Sequence, residues 1–278
     1  MRTLTAATLA VLFCAWGAQA QTALKYEFAK GDLYRYADTM LVQTTREMMG
    51  QEMKMSQDIF AVTRFQVEGE APGGGTNIIA STDTLLLKIK SPQMDTTLVP
   101  VEALHKRNRI TVSSLGEITA REVVDSVKLP MMLRGSGLAS REILRLPVFS
   151  GKPVNVGEKW TYAKVDSSSS EGGRSTMTTT LEYTLLGQEK YAGRSCAKIS
   201  FAGKVTVSSK GTMGGGTEVF TEGGGTLSGV MYFDEKKGVF VGEEGTTDME
   251  LTAAVTGQQN MTIPITSVTK MKHVLLPE

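Results

Sequence analysis

The sequence predicts an all-β protein built as two tandem antiparallel curved-sheet domains, each a half-barrel or a sandwich, joined by a short irregular or helical connection. Three observations predict it. Apolar and polar residues alternate at the strand period over most of the chain. Glycine-containing turns punctuate the alternating runs. One motif occurs twice, first as Phe28-Ala29-Lys30-Gly31-Asp32-Leu33-Tyr34-Arg35-Tyr36 and later as Val154-Asn155-Val156-Gly157-Glu158-Lys159-Trp160-Thr161-Tyr162. An apolar residue, a glycine, an acid and two aromatics keep their spacing in both copies, and the copies stand about one small domain apart.

Residues 1–20 read as a signal peptide. Arg2 supplies the positive start, Leu4 to Trp16 a short apolar run, and Ala18-Gln19-Ala20 a cleavage site. The apolar run is short for a bilayer span. Phe13 before Cys14 argues against lipid attachment there. The expected product is an exported chain, periplasmic or secreted, with no transmembrane span after cleavage.

The first domain is expected over 21–126. Tyr34, Tyr36, Met40 and Val42 share one parity, and after Met49-Gly50-Gln51 the parity resumes with Met53, Met55, Ile59, Ala61, Phe65 and Val67. Two long runs around a glycine read as a β-hairpin. Pro72-Gly73-Gly74-Gly75 turns the chain into a third strand carrying Leu85, Leu87 and Ile89. Ile110-Thr111-Val112 and Ile118-Thr119-Ala120 flank Leu115-Gly116 as a further hairpin. Residues 127–150 break the pattern with Pro130, Gly135, Gly137 and Pro147, with room for a helical turn over Ser140–Arg145, and form the connection.

The second domain is expected over 151–278. Leu181, Tyr183 and Leu185 alternate in one strand; Tyr191-Ala192-Gly193-Arg194 turns it into Ala197–Phe201. The glycine-rich stretch 211–225 reads as a long loop or a bulged, mobile hairpin. Val230–Phe233 leads into the turn Asp234–Gly238. Met249, Leu251, Ala253 and Val255 form the next strand, and Met261, Ile263 and Ile265 the last, where Pro264 suggests an edge or a bulge.

The segment from Leu146 through Tyr162, with its Val-Gly-acid-x-Trp-x-Tyr core, and the later Tyr232-Phe233-Asp234 resemble an uncharacterised family of secreted bacterial β-proteins, a domain of unknown function. The resemblance implies an exported β-protein and brings no activity, cofactor or catalytic residue. The curling-sheet plan is also similar, in architecture alone, to the half-barrel of periplasmic lipoprotein carriers, and fold does not establish function.

Charge and composition narrow the function. The 30 basic and 29 acidic residues balance once Arg2 leaves with the leader, which argues against a nucleic-acid partner. The basic run His105–Arg109 lacks interleaved aromatics and reads as a solvated turn or strand edge. Cys196 would stand alone in the mature chain, as a small buried hydrophobe. His105 and His273 lie in no recognisable motif, and no Gly-x-Ser-x-Gly elbow occurs. Ser267-Val268-Thr269-Lys270 matches a reactive pattern by chance, in a strand rather than at a helix start. Two histidines and one cysteine do not make a closed zinc site, so no metal and no cofactor is expected.

The repeated Gly31, Asp32, Tyr34, Tyr36 and Gly157, Glu158, Trp160, Tyr162 are expected to be structural, the glycine making a corner, the acid capping it and the aromatics anchoring a core. Methionine is the suggestive excess, 15 in all. Met40, Met53 and Met55, with Phe65, are the candidate ligand-binding residues on a strand face, since methionine suits adaptable apolar surfaces. The functional expectation is a non-enzymatic envelope protein that binds an apolar small molecule, a lipid or a protein partner on a curved sheet. The alternatives are a purely structural or interaction β-module using exposed strand edges, and a carboxylate-dependent hydrolase.

Overall fold

The computed structural model describes residues 21–126, 146–170, 173–213, 217–257 and 260–277. The expected leader, most of the expected connection and the helical turn expected within it lie outside the described residues. Twelve strands are found among the described residues: β1 (Leu33–Met48), β2 (Gln51–Glu70), β3 (Thr76–Ser91), β4 (Met94–Leu98), β5 (Asn108–Val112), β6 (Ile118–Val123), β7 (Lys159–Ser170), β8 (Gly173–Tyr191), β9 (Arg194–Met213), β10 (Thr217–Asp234), β11 (Val239–Thr256) and β12 (Met261–Leu275). Among the described residues the fold is all-β, with a 3-10 turn at Val101–Ala103.

Local sequence explains the hairpins. Met49 (φ +52°) and Gly50 (φ +74°) both occupy the left-handed region between β1 and β2, as do Ala192 (φ +46°) and Gly193 (φ +77°) between β8 and β9. Two-residue turns of this hand match the twist of the strands they join. Period-2 alternation then fixes register: Met40 faces Ile59 and Thr44 faces Met55 across β1 and β2.

Where the sequence predicts two curved sheets, the pairing shows one. Its order is β6-β5-β3-β2-β1-β12-β11-β10-β9-β8-β7, with β4 paired to β3 off this path. The join between the halves is β1 with β12, from Tyr36↔Leu275 to Arg46↔Ile265. Nothing in the local pattern of either strand specifies a partner so far along the chain.

The sheet curls. Ile110 and Val112 near one end of the strand order share a single hydrophobic cluster with Trp160, Tyr183 and Phe201 near the other. Two segments fill the inside of the curl and bring Leu24, Tyr26, Leu146, Phe149 and Val154 into that cluster. Tyr26 stacks on Phe28 and Phe149 and meets the edge of Phe233. Burial of each such large apolar side chain contributes about 1.5–3 kcal/mol over exposure.

Of the glycine-rich stretch 211–225, the described residues 211–213 and 217–225 are strand, in the two arms of the β9–β10 hairpin, rather than a long loop. Gly223, Gly224 and Gly225 lie within β10, in unbroken register with β9 and β11. A Cβ on Gly225 would collide with the backbone carbonyl of Asp248 on β11, so only glycine permits this approach. Pro264 lies in β12 opposite Thr252 of β11, one residue beyond the last position paired to β1. Its missing N–H therefore falls where the β1 flank has ended.

Candidate functional site

Alternation sorts the sheet into an inner and an outer face. One inner row crosses every long strand in register: Leu87, Ile59, Met40, Met271, Gly245, Gly229, Phe201, Tyr183 and Trp160. The adjacent outer row reads Lys88, Asp58, Leu41, Lys270, Thr246, Ser228, Ala202, Glu182 and Thr161. Outer charges pair across strands, as Lys272 with Glu244 at 2.7 Å and Lys159 with Glu182 at 2.8 Å. The large core side chains face inward, and the outer face mixes these charges with the exposed Phe60 and Leu86, which pair in register.

The two copies of the repeated motif build the same turn at one end of the curl. The Ala29 N–H donates to Asp32 Oδ2 and the Asn155 N–H to Glu158 Oε2, each at 2.9 Å. Gly31 at φ +93° and Gly157 at φ +86° make the corners. Gly31 N–H then reaches the Val67 carbonyl at 3.0 Å, and Gly157 N–H the Leu185 carbonyl at 2.7 Å. The aromatics follow suit: Tyr34 is opposite Phe65 and Trp160 is opposite Tyr183, the latter pair stacked at 5.4 Å. Tyr36 and Trp160 are buried; Tyr34 and Tyr162 pack against the core from its margin.

This end is closed by a strap. The Phe149 N–H donates to the Leu115 carbonyl in the β5–β6 turn at 2.9 Å, and Trp160 Nε1 on β7 donates to the Val148 carbonyl at 2.8 Å. Residues 148–149 thus tie together the two ends of the strand order. Tyr26 lies beneath, its hydroxyl donating to the Pro147 carbonyl at 3.1 Å. Burial, reinforced by Tyr36, Tyr183 and Glu243, holds that phenol protonated well above its ordinary range.

Polar groups sit between the closed end and the open one. Asp38, His273 and Glu243 follow one another in register on β1, β12 and β11. His273 Nδ1 hydrogen-bonds Asp38 Oδ1, and the Thr63 hydroxyl donates to Asp38 Oδ2 at 3.2 Å. The imidazole stacks on Tyr36 (4.4 Å between centroids) and lies near-parallel to Phe240 (5.3 Å), and those two rings also neighbour each other at 6.2 Å. Its Nε2 is buried with no hydrogen-bond partner. Tyr36 donates to the Phe240 carbonyl at 2.8 Å, and burial followed by Tyr34 pushes its pKa far up. Sequence reading missed this cluster, because its members come from three strands paired at long range. Asp38 and Glu243 flank His273 along the sheet, two strand spacings or about 10 Å apart, rather than facing each other across a cleft.

Beyond that cluster the inner face opens. One row carries Met55, Thr44, Ser267, Met249, Gly225 and Val205; the next carries Met53, Arg46, Ile265, Leu251, Gly223, Val207 and Met177. Met53, Met55, Met177, Val207, Met249, Leu251 and Ile265 are only half-buried, while their outer neighbours Lys54, Glu250, Thr206 and Thr266 are exposed.

Of the four candidate ligand-binding residues, Met40, Met53 and Met55 lie on this inner face toward the open end. Met40 and Met55 pack on a second small cluster of Ile59, Leu85, Leu87 and Ile89. Phe65 shares the face but is set in the core at the closed end, 2% exposed and edge-on to Tyr36. The second half of the chain contributes as much to the open surface, through Met177, Val207, Met249, Leu251 and Ile265. Alternation over 249–255 and 261–265 marks those strands in the sequence; only the β1–β12 pairing brings them beside Met53 and Met55.

No family model and no curated protein matches this chain. Among solved structures, it is similar to an outer membrane channel from Pseudomonas putida F1, at 8% identity and TM-score 0.28, over 90% of this chain and 97% of that one. It is also similar to Pseudomonas aeruginosa OpdQ, at 10% identity and TM-score 0.29, over 88% of this chain and 100% of that one. Likeness of this degree carries no argument about what the chain does.

Proposed function

We propose that this chain is an exported envelope protein that carries or senses an apolar ligand on the open inner face of its curled sheet. One observation carries the reading: methionine and branched apolar side chains, interspersed with Thr44, Ser267 and Arg46, are left half-buried on the inside, while their outer neighbours Lys54, Glu250, Thr206 and Thr266 are exposed. An apolar patch of this kind marks a place for a ligand or partner, and methionine gives it the adaptability to accept chains of varied shape. The strap and the Tyr26–Phe149 stack supply a rigid floor, so the surface is preformed.

The leader-like residues 1–20 support export, and the shared turn at Gly31 and Gly157 supports two halves of one duplicated plan. Kinship with the secreted β-protein family is part of the same reading.

The test is uptake of N-phenyl-1-naphthylamine, whose fluorescence rises in apolar surroundings. Wild type is expected to bind it, and Leu251→Glu or Met55→Glu to lose most of that binding. Thr206→Glu on the outer face is expected to keep it. Equal binding by inner- and outer-face variants contradicts the reading.

A further inference from the structure

We propose that the ligand is a single-chain amphiphile with an anionic head, a carboxylate or a phosphate monoester, and that Arg46 receives the head. This deepens the preceding reading and rests on it. Arg46 lies on β1 between Met53 of β2 and Ile265 of β12 in register, on the inner face. The inner positions that follow it along β1, Thr44, Val42 and Met40, carry no charge. Elsewhere in the rows of Met55 and Met53, the charges are Lys164 and Asp166 on the end strand β7, and they pair with each other at 2.8 Å.

No carboxylate among the described residues pairs with Arg46. A cation set among methionine and isoleucine gains nothing from its neighbours, whereas an anion placed there would be attracted to it. The guanidinium presents a planar fork of N–H donors that matches both oxygens of a carboxylate or phosphate.

Position explains the rest. Arg46 stands near the Met49-Gly50 hairpin tip and is exposed, so the head would stay at the mouth in contact with water. From Arg46 to Met40 the inner face runs six residues, about 20 Å of strand, enough to lay out a long alkyl chain. Met55 and the β12 residues flank that path. An apolar tail with a neutral head would use the same path and leave the guanidinium unanswered.

The experiment titrates the full chain with dodecanoate, dodecyl phosphate and dodecanol by calorimetry, for wild type, Arg46→Gln and Arg46→Lys. In wild type both anions are expected to bind about tenfold tighter than dodecanol, the worth of one charge-assisted contact. Arg46→Gln is expected to abolish that preference while leaving dodecanol binding unchanged, and Arg46→Lys, which keeps the charge but loses the fork, to retain only part of it. Equal affinities for dodecanoate and dodecanol in wild type overturn the assignment of the head but leave the apolar face standing. A preference that survives Arg46→Gln does the same. Failure of all three probes to bind removes the apolar-ligand reading, and this inference with it.

Discussion

Asp38 on β1 and His273 on β12 hydrogen-bond to each other across 235 residues of sequence. The pair lies at the seam where the two halves of the chain join into one sheet, and Thr63 and Tyr36 hold it in place. Asp38→Ala removes the acceptor of both bonds and leaves the buried imidazole without its partner. The expected loss is about 1–3 kcal/mol of stability, read as a lower urea midpoint. Lys270→Gln, on the outer face of β12, is expected to leave stability within about 0.5 kcal/mol of wild type. An Asp38→Ala protein as stable as wild type would mean the seam does not depend on this contact.

The twin turns make a matched pair of predictions. Gly31→Ala and Gly157→Ala each force a side chain into the left-handed region, where a Cβ costs about 1–2 kcal/mol. Neither glycine's Cβ would meet another atom within 4 Å, so the cost is conformational and should be alike at both positions. Asp32→Ala and Glu158→Ala each remove the acceptor for one backbone N–H and should each cost about 1 kcal/mol. Two unequal pairs would show that the motif does different work in the two halves.

Cys196 offers a pH test. Its thiol is fully buried, and burial, followed by the nearby Asp234, pushes its pKa up to about 11 from an ordinary 9. The folded state therefore holds the proton more tightly than the unfolded chain. That contribution to stability is complete below pH 9 and is lost as pH rises through 11. Native protein at pH 8 is expected to react with Ellman's reagent only as fast as it unfolds, and denatured protein at once. Rapid reaction of the native thiol would place Cys196 at the surface.

Local features were legible and long-range ones were not. The β1–β2 and β8–β9 hairpins follow from period-2 alternation around Met49-Gly50 and Ala192-Gly193, information held within a few residues. The repeated turn was legible too, and further than its first nine residues. Phe65-x-Val67-x-Gly69 and Tyr183-x-Leu185-x-Gly187 continue it, since Val67 and Leu185 accept the bonds from the two corner glycines. The β1–β12 seam was illegible because no local pattern selects one strand among many with the same alternation. Asp38, His273 and Glu243 stayed hidden for that reason, and so did the contribution of Leu251 and Ile265 to the inner face. Gly223–Gly225 misled because glycine is a poor strand former in isolation; here it is required by how closely β11 approaches Gly223 and Gly225 and β9 approaches Gly224.

The central claim is that the open inner face holds an apolar molecule. Native mass spectrometry of the protein purified from an exporting host, followed by organic extraction, tests it most directly. The account predicts a stoichiometric apolar passenger in wild type that is depleted in Leu251→Glu and retained in Thr206→Glu. A clean protein mass in wild type, with no uptake of added dodecanoate or phospholipid, would contradict it.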